Sequence, residues 1–124
     1  MRGPTMRVIV SALGTTLDDR VDEHFGRAMY FIVADTETGA FDPVDNSENR
    51  NALQGAGIAS AELVSDRGAG AVITGHLGPK AFAALSALGV RGYNGTGMTV
   101  RDALGALAEG SLAGLDEAGE SHAD

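Results

Sequence analysis

The sequence predicts a single α/β domain: a mixed five-stranded sheet with helices on its faces. Three observations carry this. The 124 residues fit one hydrophobic core and leave little room for a second. In the second half, short β-branched runs alternate with stretches rich in small helix-forming residues, the pattern of β-α-β-α units. The first half carries two apolar runs joined by turn chemistry, the mark of a hairpin.

Each element can be justified in order. Residues 1–5 hold one Arg and no apolar stretch, so they are not a signal peptide; they are expected to be a disordered leader. Residues 6–12 (MRVIVSA) form a β-branched first strand. Residues 13–27 are polar, with Gly14 and Gly26 and no sustained period, and are expected to be a loop. A second strand spans 29–34 (MYFIVA), and the turn residues of 35–39 (DTETG) lead into a third at 41–45. Pro43 cannot donate to a ladder, so the third strand should lie at a sheet edge.

A polar loop is expected at 46–51, then a helix from about Gly55 to Asp66 that closes near Gly68. Residues 71–74 (AVIT) form a fully buried strand. Pro79 opens a helix that runs through 80–88 and ends at Gly89. Residues 90–93 make the last strand and 94–97 (NGTG) a loop. Thr99 is the N-cap of a helix from Val100 to about Glu109, with Asp102 at N3. The small, acidic residues 111–124 are expected to be a flexible tail, which leaves 6–110 as the domain.

Composition excludes several classes of function. A net charge of −8 argues against a nucleic-acid-binding face, and no apolar run is long enough to span a membrane. There is no cysteine, so disulfides, thiol catalysis and thiolate metal sites are all excluded. Any metal must be held by imidazole, carboxylate, amide or backbone groups, and a cytoplasmic location is expected.

Topology points to a site. Ligands of open α/β sheets bind beyond the carboxyl ends of the parallel strands. With right-handed crossovers, the first, fourth and fifth strands end at one edge and the second begins there. Loop 13–27, segment 46–57, turn 75–79 and loop 94–97 should therefore converge, with Ser11 nearby. Three helix N-termini face this edge, each with free N–H groups suited to an anion.

His24 and His76 both fall in this set, and for each two readings stand: a turn residue or a ligand. Asp18, Asp19, Asp22 and Glu23 read as solvated loop charges. Arg27 either clamps an anion or pairs with one of those acids. Gly55 and Gly57 either cradle an anion or let their helix pack closely. His122 lies in the tail and is expected to be exposed.

These residues carry a family resemblance. Residues 22–28 (DEHFGRA), followed by a strand with Phe31, resemble the signature of the nitrogenase iron–molybdenum-cofactor accessory proteins. That family comprises NifX-type carriers, the carboxyl-terminal domain of NifB-type proteins and small stand-alone relatives. Residues 55–58 (GAGI), 72–75 (VITG) with 78–81 (GPKA), and Gly97 with 99–104 (TVRDAL) match in the same order. The resemblance covers about 6–110.

It implies a three-layer ribonuclease H-like fold and a non-catalytic carrier. The cargo would be an iron–molybdenum cofactor or an iron–sulfur precursor, exchanged with cluster-assembly proteins. It carries a proposed ligand role over to His24. Phe25, Gly26, Arg27, Gly55, Gly57, Gly75, His76, Gly78, Gly95 and Gly97 then make up the rest of the cofactor-binding set, with His76 a second metal ligand. Many stand-alone relatives have a Cys in the turn before Gly-Pro; here that turn is His76-Leu77. Imidazole ligates iron more weakly than thiolate, which suits a carrier that must release its cargo. A monomer or weak homodimer is expected.

Two other functions compete with this reading. A metal-dependent hydrolase needs carboxylates gathered on strands, yet the first strand carries none and Asp35 projects at the edge opposite His24. A small-molecule or anion sensor would use the same edge without metal, and is the alternative reading.

Overall fold

In the computed structural model, residues 7–51 and 55–115 are described. The expected leader, residues 52–54, and 116–124 with His122 lie outside them. The element order is β1 (Arg7–Ala12), β2 (Tyr30–Asp35), β3 (Phe41–Asp45), α1 (Ser47–Arg50), α2 (Ala56–Asp66), β4 (Ala69–Thr74), α3 (Pro79–Ala87), β5 (Arg91–Asn94) and α4 (Val100–Glu109). The strands form one sheet in the order β3-β2-β1-β4-β5. β1 pairs antiparallel with β2, and β2 with β3; β4 lies parallel to both β1 and β5. The expected mixed sheet is therefore present, and Pro43 does lie on an edge strand.

Alternation along the strands builds two cores. Ile9, Phe31 and Val72 point to one face, where Ala61 and Val64 of α2 and Ala81 and Leu85 of α3 cover them. Val8, Val10, Ile32 and Ile73 point to the other, under Val100 and Ala103 of α4. The result is three layers, helices–sheet–helix. Few aromatics are available to fill these cores, so small residues bring the layers close. At Gly57, a Cβ would stand 3.1 Å from the Cβ of Ala81, which places α2 directly against α3.

Helix ends follow the local chemistry. Thr99 Oγ1 accepts from the Asp102 N–H at 3.1 Å, as an N-cap should. Gly68, Gly89 and Gly110 take positive φ just beyond α2, α3 and α4.

Two expectations need correction. Residues 47–50 form a one-turn helix rather than an irregular loop, with Arg50 N–H donating to Asn46 O at 2.8 Å and Ser47 N–H to Asp45 Oδ1 at 2.7 Å. The segment 13–27 is a loop as expected, without helix or strand, and it is held by bridges and hydrogen bonds to the end of β1 and the start of α4. Residues 111–115 are not a free tail. Asn94 N–H donates to Ala113 O (2.9 Å) and Leu115 N–H to Gly92 O (2.8 Å), so the chain docks beside β5. Leu112 and Leu115 drive this by packing on opposite cores. The apolar spacing within an acidic stretch was the overlooked signal.

Candidate functional site

The carboxyl edge of the sheet is where β1, β3, β4 and β5 end and β2 begins, and it is organised by the segment 13–28. That segment returns from a tight turn in which Asp19 Oδ2 accepts from both Thr16 N–H and Thr16 Oγ1 at 2.9 Å. These bonds hold the Asp19 carboxyl below the ordinary carboxylate range, the backbone bond from Thr16 contributing most. Val21 then bridges Ala12 and Arg20 bridges Thr99, with Val21 N–H donating to Met98 O at 2.9 Å. The next contact in line is a parallel bridge between His24 and His76. Adjacent chains in such a ladder lie roughly 5 Å apart, so the two histidines are immediate neighbours.

Below the bridge lies a small buried polar cluster. Ser11 Oγ donates to Asp22 O (2.6 Å) and lies 2.7 Å from Thr74 Oγ1, while Asp22 N–H donates to Ser11 O (2.8 Å). Ser11 and Thr74 thus act as strand-end hydrogen-bonders. Asp22 corrects the expectation of a solvated loop charge: it is only 6 % exposed. Its Oδ1 accepts from His24 N–H at 3.0 Å and its Oδ2 from Met29 N–H at 3.2 Å. A buried carboxylate is costly unless hydrogen-bonded, and here two backbone N–H groups compensate it. Chain folding back over its own turn is the result.

Asn46 does the same from the other side. It is buried, and its Nδ2 donates to Ala28 O (3.0 Å) and Gly26 O (3.4 Å), while its Oδ1 accepts from Asn49 Nδ2 (3.0 Å). Sequence reasoning missed both residues. An Asp two residues before a backbone N–H is a recognisable turn pattern; nothing local marked Asn46.

Among the expected site residues, the structure separates surface groups from supports. The His24 side chain is 70 % exposed, and His76 is half-buried. Phe25 points the other way: its ring is wholly buried, with its centroid 5.4 Å from that of Phe31. It anchors the turn in the core and cannot touch a surface ligand. Arg27 donates from a guanidinium N–H to Arg50 O at 2.8 Å, which ties its loop to the end of α1.

The glycines mark close approaches. A Cβ at Gly26 would stand 2.8 Å from Gly57 N, and one at Gly75 would stand 2.8 Å from both Glu23 Cβ and Thr96 Oγ1. One at Gly95 would reach within 2.6 Å of Ile73 Cγ2. Gly26, Gly57, Gly75 and Gly95 are thus the contact points at which the converging segments meet. Gly78 is buried at the N-cap of α3. Gly55 and Gly97 have positive φ (80° and 82°) in exposed turns at this edge.

The helix N-termini differ from expectation. α4 offers no free anion site, because Val100 N–H donates to Asp19 O, Arg101 N–H to Leu17 O and Asp102 N–H to Thr99 Oγ1. α2 and α3 carry no side-chain cap.

Among the described residues, no group of three His, Cys, Asp or Glu side chains is arranged to hold a metal ion. Two clefts, of about 330 and 280 Å³, lie elsewhere. The first is lined by Leu77, Leu85, Val90 and Leu115 beside α3 and β5, the second by Arg7, Asp35, Phe41 and Arg67 near the start of β1. Neither cleft is lined by His24 or His76.

Known proteins share this fold. The apo orange protein from Desulfovibrio gigas superposes with a TM-score of 0.90 at 38% identity, over 96% of this chain and 100% of that one. A Thermotoga protein described as a NifB candidate gives 0.82 at 33% identity, over 94% and 99%. An uncharacterized protein of Methanocaldococcus jannaschii is 31% identical over 97 residues, 77% of this chain and 82% of its own length. The model of the dinitrogenase iron-molybdenum cofactor family matches residues 6–110. With the match spanning every described element from β1 through α4, the chain belongs to the dinitrogenase iron-molybdenum cofactor family.

Proposed function

We propose that this chain is a carrier for an iron–molybdenum cofactor or an iron–sulfur precursor, held weakly at the carboxyl edge of the sheet. The family is one of non-catalytic accessory and carrier proteins. The observation that carries the reading is the bridge between His24 and His76, which sets the two histidine backbones side by side at an edge where the His24 ring is exposed. His24 is the first ligand and His76 the second. The strand order also suits the ribonuclease H-like class implied by the sequence resemblance.

The donor set fits a preassembled cluster better than a bare ion. A bare ion needs three or more protein ligands in fixed geometry, and no such group occurs among the described residues. A cluster brings its own sulfides, so one or two imidazoles suffice to tether it. The protein's part is to present those imidazoles on a backbone fixed by Asp22, Asn46 and the Gly26–Gly57 contact. Release to a cluster-assembly protein then breaks only one or two weak bonds. This matches a small cytoplasmic protein, monomeric or weakly dimeric.

A thermal-shift comparison tests the reading against a metal-free anion sensor. Ligand at 100 times its dissociation constant stabilises the folded state by about 2.7 kcal/mol. Anaerobically added cofactor or iron–sulfur cluster should raise the melting temperature of the wild type and do so less for His24→Ala. Stabilisation by organic anions alone would support the sensor instead.

A further inference from the structure

The contacts of Asp22 go further than holding the turn. Its Oδ1, besides accepting from His24 N–H, lies 3.4 Å from His24 Nδ1. The carboxylate is 7 % exposed as a side chain and fixed at its other oxygen by Met29 N–H, whereas the imidazole is 70 % exposed. Its backbone is pinned as well, by Ser11 and Thr74. The carboxylate is therefore the rigid partner and the ring the adjustable one.

We propose that Asp22 is a positioning residue that holds neutral His24 in the Nδ1–H tautomer and turns Nε2, with its lone pair, outward as the ligating atom. A carboxylate only accepts, so the Nδ1 facing it must carry the proton. The remaining ring nitrogen is then unprotonated. Metal-ligating histidines are commonly oriented by such a carboxylate on the non-ligating nitrogen, which fixes both tautomer and ring direction. At 3.4 Å the ring contact is long for a hydrogen bond, so Asp22 biases the ring while leaving it able to swing and release. His24 thus differs from a free histidine side chain, in which the Nε2–H form predominates.

The inference deepens the reading of His24 as ligand, but its test needs no cargo. Long-range proton–nitrogen NMR on ¹⁵N-histidine-labelled apo protein at pH 8.5, where imidazole is neutral, reports each ring's tautomer. Wild-type His24 should show a pyrrole-type Nδ1 and a pyridine-type Nε2. Asp22→Asn should move the population toward Nε2–H, with circular dichroism confirming the fold. Should that variant not fold, the wild-type ring alone decides: an Nδ1–H His24 supports the inference. A predominantly Nε2–H His24 in the wild type, or an unchanged tautomer in folded Asp22→Asn, would each overturn it. Failure of the cluster-binding test with an Nδ1–H ring intact would remove the carrier reading and leave the positioning role standing.

Discussion

Gly26→Ala is the sharpest structural perturbation of the edge. The added Cβ would stand 2.8 Å from Gly57 N and 2.9 Å from Gly57 Cα, both backbone atoms at the start of α2. No rotamer change relieves a clash with backbone, so either the His24 turn or the helix must move. Overpacking of this kind costs about 1–3 kcal/mol, and a backbone neighbour places the cost near the top, about 3 kcal/mol. Ala also narrows the unfolded ensemble, offsetting roughly 0.4–1 kcal/mol. The net loss should be about 2 kcal/mol, which lowers the melting temperature by on the order of 10 °C in a domain of this size.

Urea denaturation of wild type and variant, followed by circular dichroism, measures it. Gly39→Ala is the control: its φ of 77° strains the new side chain, but nothing lies within 4 Å and the position is far from the edge. Both variants should lose stability, while only Gly26→Ala should shift the NMR signals of His24. A loss below about 0.5 kcal/mol for Gly26→Ala, or unshifted His24 signals, would refute the claim that this contact sets the turn.

Two further predictions follow from the same contacts. Asn46→Ala removes a donor to Ala28 O and Gly26 O; Gly26 O keeps Ser60 Oγ at 3.4 Å, so the loss falls mainly on Ala28 O and should cost about 1–2 kcal/mol, and hydrogen exchange in residues 24–29 should accelerate before that of the central strands. Acid should also destabilise the fold. The carboxyls of Asp19, Asp35 and Asp45 are all lowered, chiefly by backbone N–H bonds from Thr16, Thr38 and Ser47 respectively. Because their folded values lie below the unfolded one, the stabilisation is full above about pH 4 and lost as pH falls through the folded values. Urea midpoints should fall between pH 5 and pH 2, and Asp45→Asn should flatten that decline.

Much of this molecule was legible in its sequence, for identifiable reasons. Strands betrayed themselves through β-branched runs, and Pro43 announced the edge. Thr99 and Pro79 marked helix starts because their chemistry is local. The convergence of His24 and His76 followed from topology, since parallel strands must end together. What stayed hidden depends on distant partners. Asp22 looks like any loop acid until Met29 folds back onto it, and Asn46 gains meaning only from carbonyls about twenty residues earlier. The bond from Arg27 to the Arg50 carbonyl stayed hidden because a main-chain acceptor has no sequence signature. The free N–H groups expected at α4 disappeared for a similar reason: carbonyls of the 13–27 segment had already reached them. Leu112 and Leu115 were obscured by the acidic composition around them.

The carrier account stands most directly on an anaerobic titration of the apo chain with isolated iron–molybdenum cofactor, followed by gel filtration and visible absorption. The account predicts that cofactor colour co-elutes with the wild-type protein. His24→Ala should retain far less, and His76→Ala an intermediate amount, while both variants keep the wild-type circular dichroism spectrum. Equal retention of cofactor by wild type and His24→Ala, or none by the wild type, would contradict it.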